Sequence, residues 1–169
     1  MHAVATGDPE ALRELCERYE RPLHRFLHRA AYGRDTDDLY QETWLRVVRA
    51  ARRFDPTRRF STWLFQIALN LARDLHRRAE AVPLSPQALD AASADRATGN
   101  DAADAALDVR RLLGALSESQ REVVLLRVLQ DVSEEDAAEI LGCPRGTVKS
   151  RLHHALARLA TLARPGGVW

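Results

Sequence analysis

Two stretches of helical periodicity, separated by a stretch without any, constrain the fold of this chain more than any other feature. Apolar residues recur every three or four positions through residues 9–75 and again through residues 105–162, as in amphipathic helices that share a core. Runs of β-branched residues are absent and only 8 of the 169 residues are glycine, which favours helices over strands. We therefore predict an all-α protein with two small helical domains.

The stretch between the two periodic regions has the composition of a flexible linker. Pro83, Pro86 and Gly99 interrupt it, and most of its apolar residues are alanine. Such a segment has too little apolar surface to build a core. We predict helical domains at residues 1–79 and 105–169, joined by an acidic flexible linker at residues 80–104.

Local signals place the ends of the helices. Asp8-Pro9-Glu10 predicts the start of the first long helix, and Pro22 is expected to kink or split it. Val48 and Leu156 are assigned to the inward apolar stripes of later helices. The remaining helices are expected to begin near Thr36 and near Ser61 or Thr62, and to span residues 105–115, 118–129, 133–141 and 145–162, with caps at Ser117 and Ser133.

Charge is segregated along the chain although the net charge is only +1. Residues 43–79 carry a net +7 and residues 143–169 a net +5, whereas residues 1–42 and 109–142 each carry −3 and residues 80–108 carry −5. Two basic blocks with acidic sequence between them predict two separate contacts with a polyanion.

The strongest functional signal lies between Ser133 and Ala155. A short helix, the tight turn Gly142-Cys143-Pro144 and a longer basic helix follow one another, which is the plan of a DNA-reading helix-turn-helix. The alternative is a basic, solvated face on an ordinary helical bundle. The second helix would turn its hydrogen-bonding side chains outward: Arg145, Thr147, Lys149, Ser150, Arg151, His153 and His154.

The first basic block interleaves arginines with aromatic residues. Phe54, Phe60, Trp63 and Phe65 lie in this block, and aromatic rings can stack on bases while arginines bind phosphates. The alternative is that Trp63 and Phe65 simply fill the core. The pattern by itself leaves both interpretations open.

Several other classes of protein lack support in the sequence. No apolar run reaches the roughly 18–20 residues of a membrane span, and no signal peptide precedes the first helix, so we expect a cytoplasmic protein. Cys16 and Cys143 are expected to be reduced thiols. His24 and His28 have a spacing that could bind a metal, but solvated histidines are the alternative that we favour. No catalytic arrangement or cofactor motif is present, so we expect neither an enzyme nor a cofactor.

Three segments resemble a known family. Asp38-Leu39-Tyr40-Gln41-Glu42-Thr43-Trp44 and the segment from Phe60 to Asn70 are similar to the second conserved region of extracytoplasmic-function (ECF) sigma factors, and Leu116 to Leu159 resembles their fourth region. The resemblance implies that the second region binds core RNA polymerase and opens the −10 promoter element, and that the fourth reads the −35 element. The acidic linker would then run near the path of the RNA inside the polymerase.

The resemblance also implies partners and residue roles. The partners would be the clamp coiled coil of the largest polymerase subunit, the flap of the second-largest subunit, promoter DNA and an anti-sigma factor. The polymerase-binding residues would be Asp38, Leu39, Gln41 and Glu42. The −10 residues would be Phe54, Arg58, Arg59, Ser61, Trp63, Asn70, Arg73 and Arg77. The −35 residues would be Arg127 together with the outward residues of the last helix, Arg145, Thr147, Lys149, Ser150, Arg151, His153 and His154.

The sequence departs from the family pattern at a few positions. Ala137 replaces a larger aliphatic residue, Glu134 stands where an aromatic residue is common, and His153-His154 replaces bulkier or basic pairs. The rival hypotheses are a free-standing helix-turn-helix regulator and a helical adaptor that binds only protein. Neither explains the Asp38–Trp44 and Phe60–Asn70 segments, and a regulator would bind duplex DNA without polymerase.

Overall fold

The computed structural model describes residues 1–81 and 109–163. The chain divides into two compact units, Met1–Ser93 and Ala94–Trp169. All regular secondary structure in the described residues is helical, which confirms the all-α prediction. Most of the predicted flexible linker, residues 82–104, lies outside the described residues.

The described part of the first unit, residues 1–81, contains four α-helices and a short 3₁₀ turn. The elements are α1 (His2–Ala5), α2 (Pro9–Ala30), α3 (Thr36–Ala50), the 3₁₀ turn (Ala51–Arg53) and α4 (Phe60–Ala81). The second helix of the sequence prediction is confirmed at Thr36, and α4 begins one residue earlier than predicted.

The start of α2 follows from its capping residues. The side chain of Asp8 accepts hydrogen bonds from the backbone N–H groups of Glu10 and Ala11, at 2.9 and 3.3 Å. The helix then continues through Pro22 to Ala30, so the predicted split is wrong. A proline inside a helix costs about 3 kcal/mol. The burial of Leu23 and the two large apolar residues that follow it, each contributing about 1.5–3 kcal/mol, offsets that cost.

The core of the first unit lies between α2, α3 and α4. Phe26, Leu27, Val47 and Leu64 have no exposed surface. Val48 is 43% exposed, so its assignment to the inward stripe is wrong. The reason is geometric: among the described residues α3 packs mainly against α2 and α4, and Val48 lies about 100° around the helix from the fully buried Val47.

Hydrogen bonds tie the far ends of α2 and α4 together. The Nε2 of His76 on α4 donates to the carbonyl of Ala30 at 2.8 Å, and its Nδ1 accepts from Arg34 at 3.4 Å. The turn after α2 contains Gly33 at φ +76°, where a Cβ would lie 3.2 Å from the ring of His28. These contacts fix where α4 runs beside α2.

The second unit also consists of helices. The described part of α5 covers residues 109–114, and α6 (Glu118–Val124), a π-helical turn (Leu125–Leu129), α7 (Glu134–Leu141) and α8 (Arg145–Leu162) follow. Ser117 and Gln120 form a capping box at α6, and the Ser133 side chain accepts from the backbone N–H of Asp136 at α7, which confirms both predicted caps.

A tight turn connects α7 to α8. Gly142 ends α7 at φ +64°, a left-handed conformation that favours glycine. Val148 and Ala155 are fully buried on α8, and Ala137 is fully buried on α7, so the smaller residue at position 137 still packs in the core. Leu156 is 45% exposed, so its assignment to the inward face is wrong. It lies about 100° around α8 from Ala155.

Candidate nucleic-acid and polymerase interfaces

The loop between the 3₁₀ turn and α4 is shaped by Asp55. Its carboxylate accepts hydrogen bonds from the backbone N–H and the hydroxyl of Thr57, at 2.9 and 2.8 Å. Both bonds hold the pKa of Asp55 below its usual value, and the bond from the backbone N–H of Thr57 has the larger effect. The Arg58 guanidinium donates to Gln66 on α4 at 3.2 Å, whereas Arg59 is exposed. The loop is thus a folded turn with basic side chains.

Aromatic rings form a cluster at the point where this loop enters α4. The ring of Phe54 lies 5.0 Å from Trp63 and 6.1 Å from Phe60, and Phe60 also contacts Tyr19 at 5.3 Å and Trp44 at 6.4 Å. We call these five residues the aromatic cluster. Phe54, Phe60 and Trp63 are half-buried, so part of each ring is accessible.

The aromatic residues of the first basic block therefore separate into two groups. Phe65 is 5% exposed and packs edge-to-face on Phe26 at 5.1 Å, so it belongs to the core. Trp63 keeps accessible surface beside the loop. Ser61, also a predicted −10 residue, is half-buried in the first turn of α4.

The polar side of α4 carries the next group of predicted −10 residues. Asn70 is exposed, and its Oδ1 accepts from the Arg73 guanidinium at 3.3 Å. Arg77 is exposed and pairs with Asp74. Within residues 1–81, no hydrogen bond occupies the amide N–H groups of Asn70. These donors are accessible about 10 Å along the axis from Trp63.

The predicted polymerase-binding residues on α3 have different surroundings. Asp38 and Gln41 are exposed. Glu42 is half-buried and forms an ion pair with Arg46 at 3.0 Å. Leu39 is 7% exposed, so its side chain belongs to the core and supports this face from beneath.

Two apolar residues extend this surface. Leu45 and Val48 are 49% and 43% exposed, and their spacing from Asp38 and Gln41 places all four on one side of α3. We call Asp38, Gln41, Leu45 and Val48 the α3 stripe. Sequence periodicity assigned Val48 to the inward stripe and left Leu45 outside it, so this exposed apolar pair was not predicted.

The last helix, α8, exposes most of its predicted DNA-reading side chains. Lys149 and Ser150 are exposed in its second turn, away from the buried Val148. The predicted set divides by exposure: Arg145, Lys149, Ser150, His153 and His154 are exposed, and Thr147 and Arg151 are half-buried.

Some of these residues also have internal partners. Ser150 donates to the Thr147 carbonyl at 3.1 Å, and Arg151 lies against the Cys143 sulfur at 3.9 Å. Arg127 is half-buried in the π-helical turn, and its guanidinium donates to the carbonyl of Val132. The structure thus places Arg127 as a brace for the loop before α7, rather than among the exposed side chains.

The remaining histidines and cysteines form ordinary contacts. His24 stacks on Tyr40 at 4.5 Å and lies 3.7 Å from Asp37. Cys16 and Cys143 are free thiols, and burial, followed by the charge of Glu17, raises the pKa of Cys16. Throughout the part of the chain that the structure describes, no group of three or more His, Cys, Asp or Glu residues could hold a metal ion. None of the described helices is long and apolar enough to span a membrane.

Comparisons with known proteins match both units. The Sigma-70 region 2 family model matches residues 15–82, and the Sigma-70, region 4 family model matches residues 106–159. The ECF RNA polymerase sigma factor SigM of Mycobacterium tuberculosis (strain ATCC 25618 / H37Rv) is 37% identical over 161 residues, which cover 95% of this chain and 81% of that protein.

Two solved structures share the fold. CnrH, in complex with the cytosolic domain of CnrY, has a TM-score of 0.76 and 29% identity, covering 95% of this chain and 92% of that one. The sigma factor RpoE of Bartonella quintana, in complex with the anti-sigma factor NepR, has a TM-score of 0.73 and 25% identity, covering 90% and 96%. The helix-turn-helix, the loop before α4 and these matches agree, and the chain belongs to the ECF sigma factors of RNA polymerase.

Proposed function

We propose that the chain directs promoter-specific initiation through three surfaces: the α3 stripe with Glu42 binds core polymerase, the loop and polar side of α4 open the −10 element, and α8 reads the −35 element. One observation carries this proposal. The first three turns of α8 expose hydrogen-bonding side chains while Val148 and Ala155 are buried on its other side, and such a helix can enter a major groove with its donors facing base edges.

The −10 function rests on the segment from Phe54 to Ser61, which comprises the loop before α4 and the first two residues of α4, and on Asn70. Accessible aromatic rings beside basic side chains suit a base that has left the duplex, because rings stack on the base while arginines bind its phosphates. The free amide donors of Asn70 suit a base edge. We propose that one non-template base of the −10 element is extruded here, with Arg58, Arg59, Arg73 and Arg77 on the backbone.

The polymerase contact rests on the composition of the α3 stripe. Its two exposed polar groups, the carboxamide of Gln41 and the carboxylate of Asp38, lie on the same side of α3 as the exposed Leu45 and Val48. A mixed polar and apolar helix face of this kind suits a protein partner with a helical surface. The proposed partner is the clamp coiled coil of the largest subunit, and the flap of the second-largest subunit is the proposed partner of residues 109–163.

Two DNA-binding modules of low affinity, both attached to one polymerase, explain how such a protein selects promoters. Isolated basic modules bind DNA non-specifically with Kd values of roughly 10⁻⁴–10⁻⁶ M. Attachment of both to polymerase raises their effective concentration and makes binding depend on the spacing of the two elements. Base extrusion costs a few kcal/mol, which contacts to the captured base offset, so we propose that the chain acts without catalytic chemistry of its own.

Regulation and location follow from the same proposal. The RpoE neighbour is in complex with an anti-sigma factor and the CnrH neighbour with a cytosolic domain of CnrY. We propose that an anti-sigma factor holds this chain inactive as well. Its place of action would be the cytoplasm, where polymerase and promoter DNA meet.

The experiment that tests the proposal compares DNA binding with and without core polymerase. A labelled duplex promoter is titrated with the chain alone, with core polymerase alone and with the two together. We expect specific binding only for the two together. Equal, sequence-specific binding by the chain alone would favour a free-standing regulator. Binding of the chain to core polymerase without any change in promoter selection would favour an adaptor.

A further inference from the structure

A row of arginines on α2 is not used by any of the three proposed surfaces. Arg18, Arg21 and Arg25 are exposed, and their spacing of three and four residues places them on one side of the helix. We call them the α2 ridge. The buried residues Phe26 and Leu27 belong to the other side of α2, so the ridge has no function in the core.

Among the residues that the structure describes, the ridge arginines form no ion pair, in contrast to another arginine of the same helix. Arg13 pairs with Glu10 at 2.8 Å and with Glu17 at 2.6 Å. Across residues 1–81 and 109–163, no carboxylate lies within ion-pair distance of the three ridge arginines. A helix dipole favours basic residues only in the last turn, and the ridge lies more than one turn before Ala30. Neither ion pairing within the described residues nor the helix dipole explains why three arginines lie on this side of α2.

The ridge begins at the aromatic cluster. The Arg18 guanidinium lies 5.9 Å from the centre of the Tyr19 ring, and Tyr19 contacts Phe60, the first residue of α4, at 5.3 Å. The next contacts along the two helices are Phe26 with Phe65 and Ala30 with His76. Since both sets of contacts advance together, α2 and α4 run side by side in the same direction. The ridge therefore starts at Arg18, beside the loop before α4, and continues on the side of α2 that faces away from the contacts with α4.

We propose that the α2 ridge binds the phosphodiester backbone of promoter DNA next to the captured base. This inference rests on the proposed −10 function and adds a second basic track to it. Guanidinium groups bind phosphate oxygens in bidentate geometry. Successive ridge residues are about 4.5–6 Å apart along the axis, so each step spans one to two phosphates of a stacked strand at about 3.4 Å per charge.

The test measures how salt weakens promoter binding by the holoenzyme. The full chain carrying Arg18→Gln, Arg21→Gln and Arg25→Gln is assembled with core polymerase, and Kd is measured over a range of KCl concentrations. The templates are a duplex promoter and a fork template whose non-template −10 strand is single-stranded. Arg13→Gln is the matched control, because Arg13 is an exposed arginine on α2 that is already paired with carboxylates. A triple lysine variant keeps the charge.

We expect the slope of log K against log salt in the glutamine variant to become shallower by about 0.7–0.9 for each phosphate that the ridge no longer binds. That change corresponds to roughly five- to eightfold weaker binding per phosphate at about 0.1 M salt. The lysine variant and Arg13→Gln should keep the wild-type slope. Weaker binding to both templates assigns the ridge to DNA that they share, the non-template strand or the upstream duplex, and weaker binding to the duplex alone assigns it to paired DNA at the −10 element.

Three results would overturn the inference. An unchanged slope in the glutamine variant, with normal binding by the wild type, removes the ridge from the DNA interface and leaves the proposed function intact. Weaker assembly with core polymerase at an unchanged DNA slope makes the ridge a protein-binding surface. If the wild-type holoenzyme binds neither template, the proposed function fails and the ridge fails with it.

Discussion

Asn70 gives the most informative single substitution in the proposed −10 surface. Asn70→Ala removes an exposed side chain whose one described hydrogen bond is to the Arg73 guanidinium. Exposed substitutions of this kind change the free energy of unfolding by no more than about 0.5 kcal/mol, and alanine has the higher helix propensity. We therefore expect an unchanged melting temperature, so that any loss of activity reports on DNA.

The expected loss follows from the two amide donors of Asn70, which form no hydrogen bond within the described residues 1–81. A well-placed base contact contributes about 1–3 kcal/mol of discrimination, which corresponds to roughly 5- to 150-fold in the rate of open-complex formation. Asn70→Asp separates the two halves of the side chain, because it keeps the acceptor that faces Arg73 and removes the donors. If the donors read the base, Asn70→Asp alters the base preference as Asn70→Ala does, and its opening rate falls further because it also adds a negative charge beside the DNA backbone.

The assay is stopped-flow fluorescence of strand opening on duplex promoters, compared with templates already mismatched at one −10 position. A mismatch removes the cost of unpairing, so it should restore much of the opening rate of Asn70→Ala. The altered base preference should remain, because the reading contact is still missing. Opening of duplex promoters at the wild-type rate, with the wild-type preference, would show that Asn70 does not read a base.

Three further substitutions test the other proposed surfaces. The double substitution Gln41→Ala and Glu42→Ala should weaken binding to core polymerase in a fluorescence titration. It should not reduce helicity, because the Glu42–Arg46 ion pair that it removes is partly exposed and contributes about 0–1 kcal/mol to stability. Equal affinity of the variant and the wild type would exclude this face of α3 from the polymerase interface. Lys149→Ala should lower transcription and relax preference at one or two −35 positions, by about 1–3 kcal/mol, while Thr161→Ala in the last turns of the same helix should change neither. Asp55→Ala should slow promoter opening by releasing the turn before α4, and an unchanged opening rate would show that the turn needs no such bond.

The sequence predicted the helix starts because their signals are local. Asp8, Ser117 and Ser133 each cap a helix through their own side chain, and such bonds depend on residues only two or three positions away. The left-handed turn at Gly142 is also a local preference. The outward side of the recognition helix followed from the same short-range periodicity.

Properties that depend on packing between helices could not be predicted in this way. Val48 and Leu156 fit an apolar stripe in sequence, yet both are exposed, because the width of a buried arc depends on how many helices pack against it. Phe65 and Trp63 have similar sequence contexts. Phe65 belongs to the core because its ring packs against Phe26, a contact that the sequence alone does not predict.

The π-helical turn of residues Leu125–Leu129 shows a second limit. Such turns are rare, and no simple residue preference marks them. In this chain the turn positions the guanidinium of Arg127 so that it donates a hydrogen bond to the carbonyl of Val132. A residue that resembles a DNA contact in sequence therefore has a structural bond within the protein, and its function on DNA stays a prediction.

The most direct test of the whole account is transcription by purified core polymerase and this chain on a library of randomised promoters, with start sites read by sequencing. We predict that active promoters share two sequence blocks at a fixed spacing from each other and from the start site. We also predict that Lys149→Ala changes only the upstream block and Asn70→Ala only the downstream block. Start sites that show no common pair of blocks, or variants that change the same block, would contradict the assignment of one reader to each unit.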